Sequence, residues 1–202
     1  MPAPEPGQKW GILGGVFDPV HLGHLAIATE IFEDRQLDGV FLTPAFDPPH
    51  RDKQPHATFS DRVVMLQMVC ESEPRLSVCT IEKDLKRPSY TLRTIRALRQ
   101  KYKDVDFRFI IGADNLVQLK TWHHWETLLD EVHLLVGYRP GANLDAIDDY
   151  PQMKIDIIET KLVDISSTDI REAVRQGVTD NELKRLVSPQ VADYIIKNGL
   201  YR

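Results

Sequence analysis

Along this chain, short runs of large apolar and β-branched residues are separated by stretches in which apolar positions recur every three or four residues. The runs at 10–13, 40–42, 76–79, 107–111, 132–136 and 155–158 have the length of buried strands. Helical spacing follows at 22–32, with Leu25, Ala28 and Phe32 along one face, at 61–70 and at 91–102. The last of these carries Arg93, Arg96, Arg99 and Lys103 on its outer face, which reads as a solvated surface. Strand runs alternating with helices predict an α/β fold built on a parallel sheet. From about residue 166 the pattern changes in kind, because 168–176 and 188–197 predict helices with no strand between them. Ser188 and Pro189 form a cap and first-turn pair, and Gly199 supplies the stop.

Composition narrows the class. A chain of 202 residues, 42% hydrophobic and 27% charged, is expected to form one domain with a sizeable core over 10–202. Residues 1–9 contain Pro2, Pro4, Pro6 and Gly7 and little apolar content, so they are expected to be a loose, disordered tail rather than a signal peptide. No window approaches the roughly 20 apolar residues that span a bilayer, so no membrane partner and a cytoplasmic location are expected. Cys70 and Cys79 are too few for a disulfide framework or a Cys-rich zinc site and are expected to be buried thiols. The formal net charge of -5 argues against nucleic-acid binding but leaves room for a local basic pocket that takes a small phosphorylated ligand. Residues 44–56, with four prolines and two histidines, form a long loop of the kind that is often functional.

The densest chemistry lies in GGVFDPVHLGHL, residues 14–25, at the junction of the first strand and the first helix. Gly14 and Gly15 allow backbone to approach a phosphate, the following helix start offers unpaired N–H groups, and Pro19 stiffens the approach. If the helix begins near Leu22, the spacing of three stacks His21 and His24 beside its first turn. A zinc pair is the alternative, but no H-E-x-x-H and no Cys or carboxylate partner stands at ligand spacing. A Walker A loop is absent, and bulky Val16 and Phe17 after the glycines exclude G-x-G-x-x-G. A second anion-binding helix start is expected at ISSTDIR, residues 165–171, where Ser166 and Asp169 make a capping-box-like pair.

These residues resemble the G-x-F-x-P-x-H-x-G-H signature of the nucleotidylyltransferase superfamily, with Gly15, Phe17, Pro19, His21, Gly23 and His24 at its fixed positions. From Trp10 to Tyr201 the chain is similar, more narrowly, to bacterial nicotinate-nucleotide adenylyltransferases. That likeness rests on PPHR (48–51), PSYT (88–91), IIGAD (110–114), TWHHWE (121–126) and the ending NGLYR. It implies a Rossmann-like doubly wound parallel sheet with a small C-terminal helical subdomain, and adenylyl transfer from ATP, with Mg2+, to nicotinate mononucleotide in NAD biosynthesis. On the ATP side it implies Gly14, Gly15, Phe17, His21, His24, Asp114 at the ribose, Ile165, Ser166, Ser167, Thr168 and Arg171. On the acceptor side it implies Val16, His50, Arg51, Tyr90, Thr91, Trp122 and His123. Arg51 stands where many relatives have Lys, and His123 where some have Tyr.

A phosphate monoester, with a second pKa near ~6, needs no general base to act as nucleophile at neutral pH. Positioning and charge stabilisation then suffice, and the cationic role falls to His24 with His21 beside it, and to Arg171 with the N–H groups near Ser167 and Thr168. No protein metal site is required. Trp122 is expected to stack on the pyridine ring, while Thr91 and the backbone N–H groups near Trp122 and His123 receive its carboxylate. Asp114 reads otherwise as a helix N-cap, and Trp10 and Trp125 as core. A different phosphorylated acceptor, a nucleotide-binding module without turnover, and a zinc hydrolase remain as alternatives, and a homo-oligomer is compatible with all of them.

Overall fold

The computed structural model describes residues 3–49, 54–142, 144, 147, 148, 150, 154–161 and 165–202. Its centre is a six-stranded sheet of β1 (Lys9–Gly15), β2 (Gly39–Pro44), β3 (Leu76–Val78), β4 (Asp106–Gly112), β5 (His133–Tyr138) and β6 (Ile155–Glu159), in the order β3-β2-β1-β4-β5-β6. Every neighbouring pair is parallel. Strand β1 pairs with β2 from Trp10 opposite Gly39 to Gly15 opposite Pro44, and with β4 from Lys9 opposite Asp106 to Leu13 opposite Ile110. The chain therefore winds outward from β1 to β3 and then, in the other direction, from β4 to β6. That reversal opens a crevice beyond the carboxyl ends of β1 and β4, where ligands bind in doubly wound sheets.

The period-two alternation along each strand divides the core in two. Leu13, Val40, Leu42, Ile110, Leu135 and Ile158 pack on one face against α1 (Leu22–Asp34), α2 (Phe59–Ser72) and α8 (Pro189–Asn198). On the other face Trp10, Ile12, Phe41, Phe107, Phe109 and Leu134 pack against α3 (Thr91–Lys101), α4 (Ala113–Gln118) and α5 (Trp125–Glu131). Helices α6 (Ser167–Arg175) and α7 (Asp180–Leu183) precede α8 and complete the C-terminal helical part. Helix α1 sits directly on the sheet because β5 has Gly137 beneath it. A Cβ there would lie 2.6 Å from Ile27 Cγ1.

All six strand runs and all five long helices lie where the hydrophobic pattern predicts them, within two residues or so at each end. Three expectations change. The buried stripe of α1 is Ile27, Ala28 and Ile31, with Leu25 and Phe32 only flanking it, because the helix seats on β5 as well as on β1 and β2. Helices α4 and α5 have 6 and 7 residues, too few for periodicity to register, and went unpredicted. The loose tail is replaced, from Glu5 onward, by a turn: Gly7 N–H donates to the Asp104 carbonyl at 2.7 Å and the Gln8 carbonyl accepts from Asp106 N–H at 2.9 Å. Cys70 and Cys79 are free, buried thiols. Among the described residues, no helix is long and apolar enough to cross a membrane.

Candidate active site

A cleft of about 810 Å³ opens at the carboxyl ends of β1, β4 and β5, at the switch point of the sheet. Gly14, Gly15, Val16, Phe17, His21 and His24 form its floor, Ile165, Ser166 and Ser167 one rim, Asp114 another, and Tyr90, Thr91, Trp122 and His123 the far end. The two motifs, some 140 residues apart in the chain, thus face one space. Thr168 and Arg171 stand behind the rim in the first turns of α6 rather than in the lining. His50 and Arg51 lie outside the described residues.

The histidine turn is built from its backbone outward. Phe17 takes a left-handed conformation with φ 53°, and is buried. A Cβ on Gly15 would meet the Phe17 ring at 3.2 Å and one on Gly14 would meet the Phe109 ring at 3.3 Å, so the glycines admit these rings as well as a ligand. His21 caps α1, and its ring lies 3.7 Å from that of His24, centroid to centroid, as the spacing of three requires. His24 Nδ1 accepts the His21 backbone N–H at 3.3 Å, so the neutral ring keeps its proton on Nε2. His21 Nδ1 is buried and has no partner among the described residues.

Burial lowers the His21 pKa to about 4, and burial followed by repulsion from His21 holds His24 well below the ordinary imidazole value. Both rings are neutral in the unliganded protein at neutral pH. Burial thus works against the cationic role expected of His24 with His21 beside it: what the turn offers in the unliganded protein is a directed imidazole N–H donor, while the guanidinium of Arg171 donates to the carbonyl of Asp18 in the same turn.

That guanidinium is held between the motifs. Arg171 Nη1 donates to the Asp18 carbonyl at 2.8 Å and Nη2 to Thr168 Oγ1 at 3.2 Å. Ser166 caps α6, accepting the Asp169 N–H at 3.1 Å, but its hydroxyl then donates to Asp169 Oδ2 at 2.6 Å, so the pair is a cap without the reciprocal backbone bond. Ser167 Oγ donates to the Pro19 carbonyl at 2.9 Å and locks the α6 start to the first motif.

At the far end, Trp122 packs edge-on to Phe109 with centroids 6.1 Å apart, half-buried. Its backbone N–H donates to the Leu119 carbonyl at 2.9 Å, so of the two backbone donors expected there, this one is already used. The His123 ring stacks at 4.1 Å on Tyr90 and 3.9 Å on His124, and desolvation, then the charges of His124 and Arg93, lower its pKa. Asp114 is exposed in the first turn of α4, whose N-cap is Gly112, so capping is not its role. Trp10 is core, and Trp125 only flanks it.

Several lining residues went unread in the sequence, among them Thr43, Glu82, Thr94 and Arg139. Glu82 accepts from Phe46 N–H at 3.2 Å and from Thr94 Oγ1 at 2.8 Å, and Asp47 N–H donates to Ser89 Oγ at 3.0 Å. Together they pin the start of the 44–56 loop to the segment before α3. Thr43 and Arg139 stand at or just past strand ends, the signal by which topology alone would find them. Among the described residues, no three His, Cys, Asp or Glu side chains gather as a metal site.

A cytidylyltransferase-like family model matches residues 12–173. A probable nicotinate-nucleotide adenylyltransferase of Shewanella frigidimarina is 35% identical, covering 96% of this chain and 100% of that protein. One from Bacillus cereus is 39% identical, covering 96% and 98%. Among solved structures, Plasmodium falciparum nicotinic acid mononucleotide adenylyltransferase complexed with NaAD shares the fold, with a TM-score of 0.82 at 20% identity over 96% of this chain and 97% of that one.

Proposed function

The chain belongs to the nicotinate-nucleotide adenylyltransferases of the cytidylyltransferase-like family, and from that membership we propose how its cleft carries out the transfer. The adenylyl group of MgATP passes to the 5'-phosphate of nicotinate mononucleotide, giving nicotinate adenine dinucleotide and pyrophosphate, as a cytoplasmic step of NAD biosynthesis. The observation that carries this reading is the meeting of two helix starts, α1 with its histidine pair and α6 with Ser166 and Ser167, in one cleft that ends at Trp122.

An oxygen of the acceptor phosphate forms a bond to the α-phosphorus as the bond from that phosphorus to the bridging oxygen of pyrophosphate breaks. No proton is transferred to or from the nucleophile, so the chain needs donors and charge rather than a base. His24, with its proton on Nε2, donates to the transferring phosphoryl, and His21 lies beside it. Arg171 and the first-turn N–H groups of α6 hold the β- and γ-phosphates of the leaving group. Asp114 accepts from the adenosine ribose. Trp122 stacks on the pyridine ring, and Thr91 with the His123 N–H receives its carboxylate.

Magnesium arrives with ATP and neutralises part of the phosphate charge. The lining fits an ion held by phosphate oxygens and water, since its carboxylates are Asp114 and the already engaged Glu82. The test is pyrophosphate release with MgATP and either nicotinate or nicotinamide mononucleotide at equal concentration. Strong preference for the acid is expected, and ATP binding without release on either acceptor would overturn the reading.

A further inference from the structure

Four hydrogen bonds tie residues 18–22, the approach to the histidine pair, to the C-terminal helical part of the chain. Tyr201 Oη donates to Asp18 Oδ1 at 2.9 Å, Arg171 Nη1 to the Asp18 carbonyl at 2.8 Å and Ser167 Oγ to the Pro19 carbonyl at 2.9 Å. Leu22 N–H donates to the Leu186 carbonyl at 3.0 Å. Asp18 is the hub, with only 3% of its surface exposed. Besides Tyr201, its carboxylate accepts the His56 N–H at 2.7 Å and the Ala57 N–H at 3.0 Å, just before α2. His56 Nδ1 lies 3.3 Å from Oδ2. Asp18 sits at a variable position of the signature, and Tyr201 in the ending NGLYR, so neither was assigned a role from the sequence.

The geometry sets a competition. Arg171 Nη1 stands 4.0 Å from Asp18 Oδ2, a long ion pair beyond hydrogen-bond distance, while the same guanidinium leaves its buried Nε without a partner among the described residues. The Tyr201 hydroxyl, itself buried with the ring, and the two backbone N–H groups keep the carboxylate turned away. With the hydroxyl gone, Oδ1 loses one of its donors, and the carboxylate is left to turn towards the guanidinium groups near it, Arg171 beside Oδ2 and the buried Arg62, whose Nε also has no partner among the described residues. Tyr201 itself takes φ 66°, so its ring is brought to Asp18 by a left-handed turn that Leu200 N–H, donating to the Ile195 carbonyl at 3.0 Å, helps to close.

We propose that Tyr201 is a positioning residue for the adenylyl transfer, acting through Asp18 to keep Arg171 and the 17–24 turn in place. This rests on the reading of the cleft given above. Tyr201→Phe keeps the ring in its apolar setting and removes only the hydroxyl. It is expected to lower kcat about tenfold while the KM values for both substrates stay within about twofold, measured well below the unfolding temperature. The ring 15N resonances of His24 and the Nε resonance of Arg171 are expected to shift, with that of His133, at the opposite end of the sheet, unchanged. Asp18→Asn should act in the same direction and further. Wild-type kcat in Tyr201→Phe, whatever its thermal stability, overturns the proposal. Should the wild-type protein release no pyrophosphate, it is the functional reading that fails, and the resonances alone decide: shifts confined to His24 and Arg171 support the coupling from Tyr201 through Asp18, and unchanged ones remove it.

Discussion

At one end of the cleft, where the phosphates are proposed to lie, the 16–24 turn is tied by side chains from α2, α6 and the turn after α8, whereas at the proposed acceptor end Tyr90, Trp122 and His123 are half-buried or exposed and meet mainly other rings. Arg62, 1% exposed, reaches from α2 to the Val16 carbonyl at 2.6 Å and the Ala45 carbonyl at 2.9 Å, and Asp18, Ser167 and Arg171 add the bonds already described. Contacts of rings are less directional than buried, charge-assisted hydrogen bonds, and each is worth about 0.5–1.5 kcal/mol beyond its burial. The contrast follows from what each end must do. Charge redistribution at phosphorus demands donors fixed in advance, because reorganising dipoles during the reaction forfeits their stabilisation. Recognition of a flat ring and a carboxylate tolerates adjustment.

His24→Ala breaks the phosphate end most directly. Turnover is expected to fall on the order of 10²–10³-fold with ATP affinity little changed, as for loss of a transition-state donor. Near-normal kcat in steady-state assays would remove His24 from the chemistry. Arg171→Lys comes next, with a loss of roughly 10–100-fold in kcat/KM for ATP, since the three donors of an ammonium radiate from one nitrogen and lack the planar fork that spans the Asp18 carbonyl, Thr168 Oγ1 and a phosphate. Equal rescue by Lys would mean that charge alone matters there. Trp122→Ala probes the other end: the acceptor KM should rise about tenfold while that for ATP is spared, and an unchanged acceptor KM sinks the stacking role.

The last effect is on stability rather than rate. His21 is held neutral in the folded protein, its pKa about 4 against the ordinary 6.5, so the unfolded chain binds more protons between those values. The associated stability is complete above pH 6.5 and is lost as the pH falls towards 4, by about 3 kcal/mol for this residue. Urea titrations at pH 7 and pH 4.5 should differ accordingly, and His21→Asn should flatten the difference. A wild-type protein equally stable at both values would show that the turn opens easily, and with it the rigidity assigned to this end.

Much of this is legible in the order of residues along the chain. Alternation of strand runs and helices announced the sheet, and the spacing of His21 and His24 set their stacking because an α-helix brings positions three apart to one face. The same local rules misjudged what depends on the surroundings. The charge of the histidines follows from burial beneath other elements, so they read as cations in the sequence and are neutral in the fold. Trp122 was expected to offer its N–H to a ligand, but the short helical turn at Leu119–Thr121 absorbs it.

The sequence by itself determined the strand and helix plan, the two helix starts that line one cleft and the family, because each is written in residues close together in the chain. Only the tertiary structure decided that Asp18 joins Tyr201 and the start of α2 while its carbonyl holds Arg171, that Arg62 supports Val16, and that Glu82 pins the start of the 44–56 loop. Those partners lie tens to nearly two hundred residues apart, and nothing local in the chain records which buried carboxylate will meet which donor. Burial sets that pairing, since a polar group taken from water must find a partner wherever the fold supplies one.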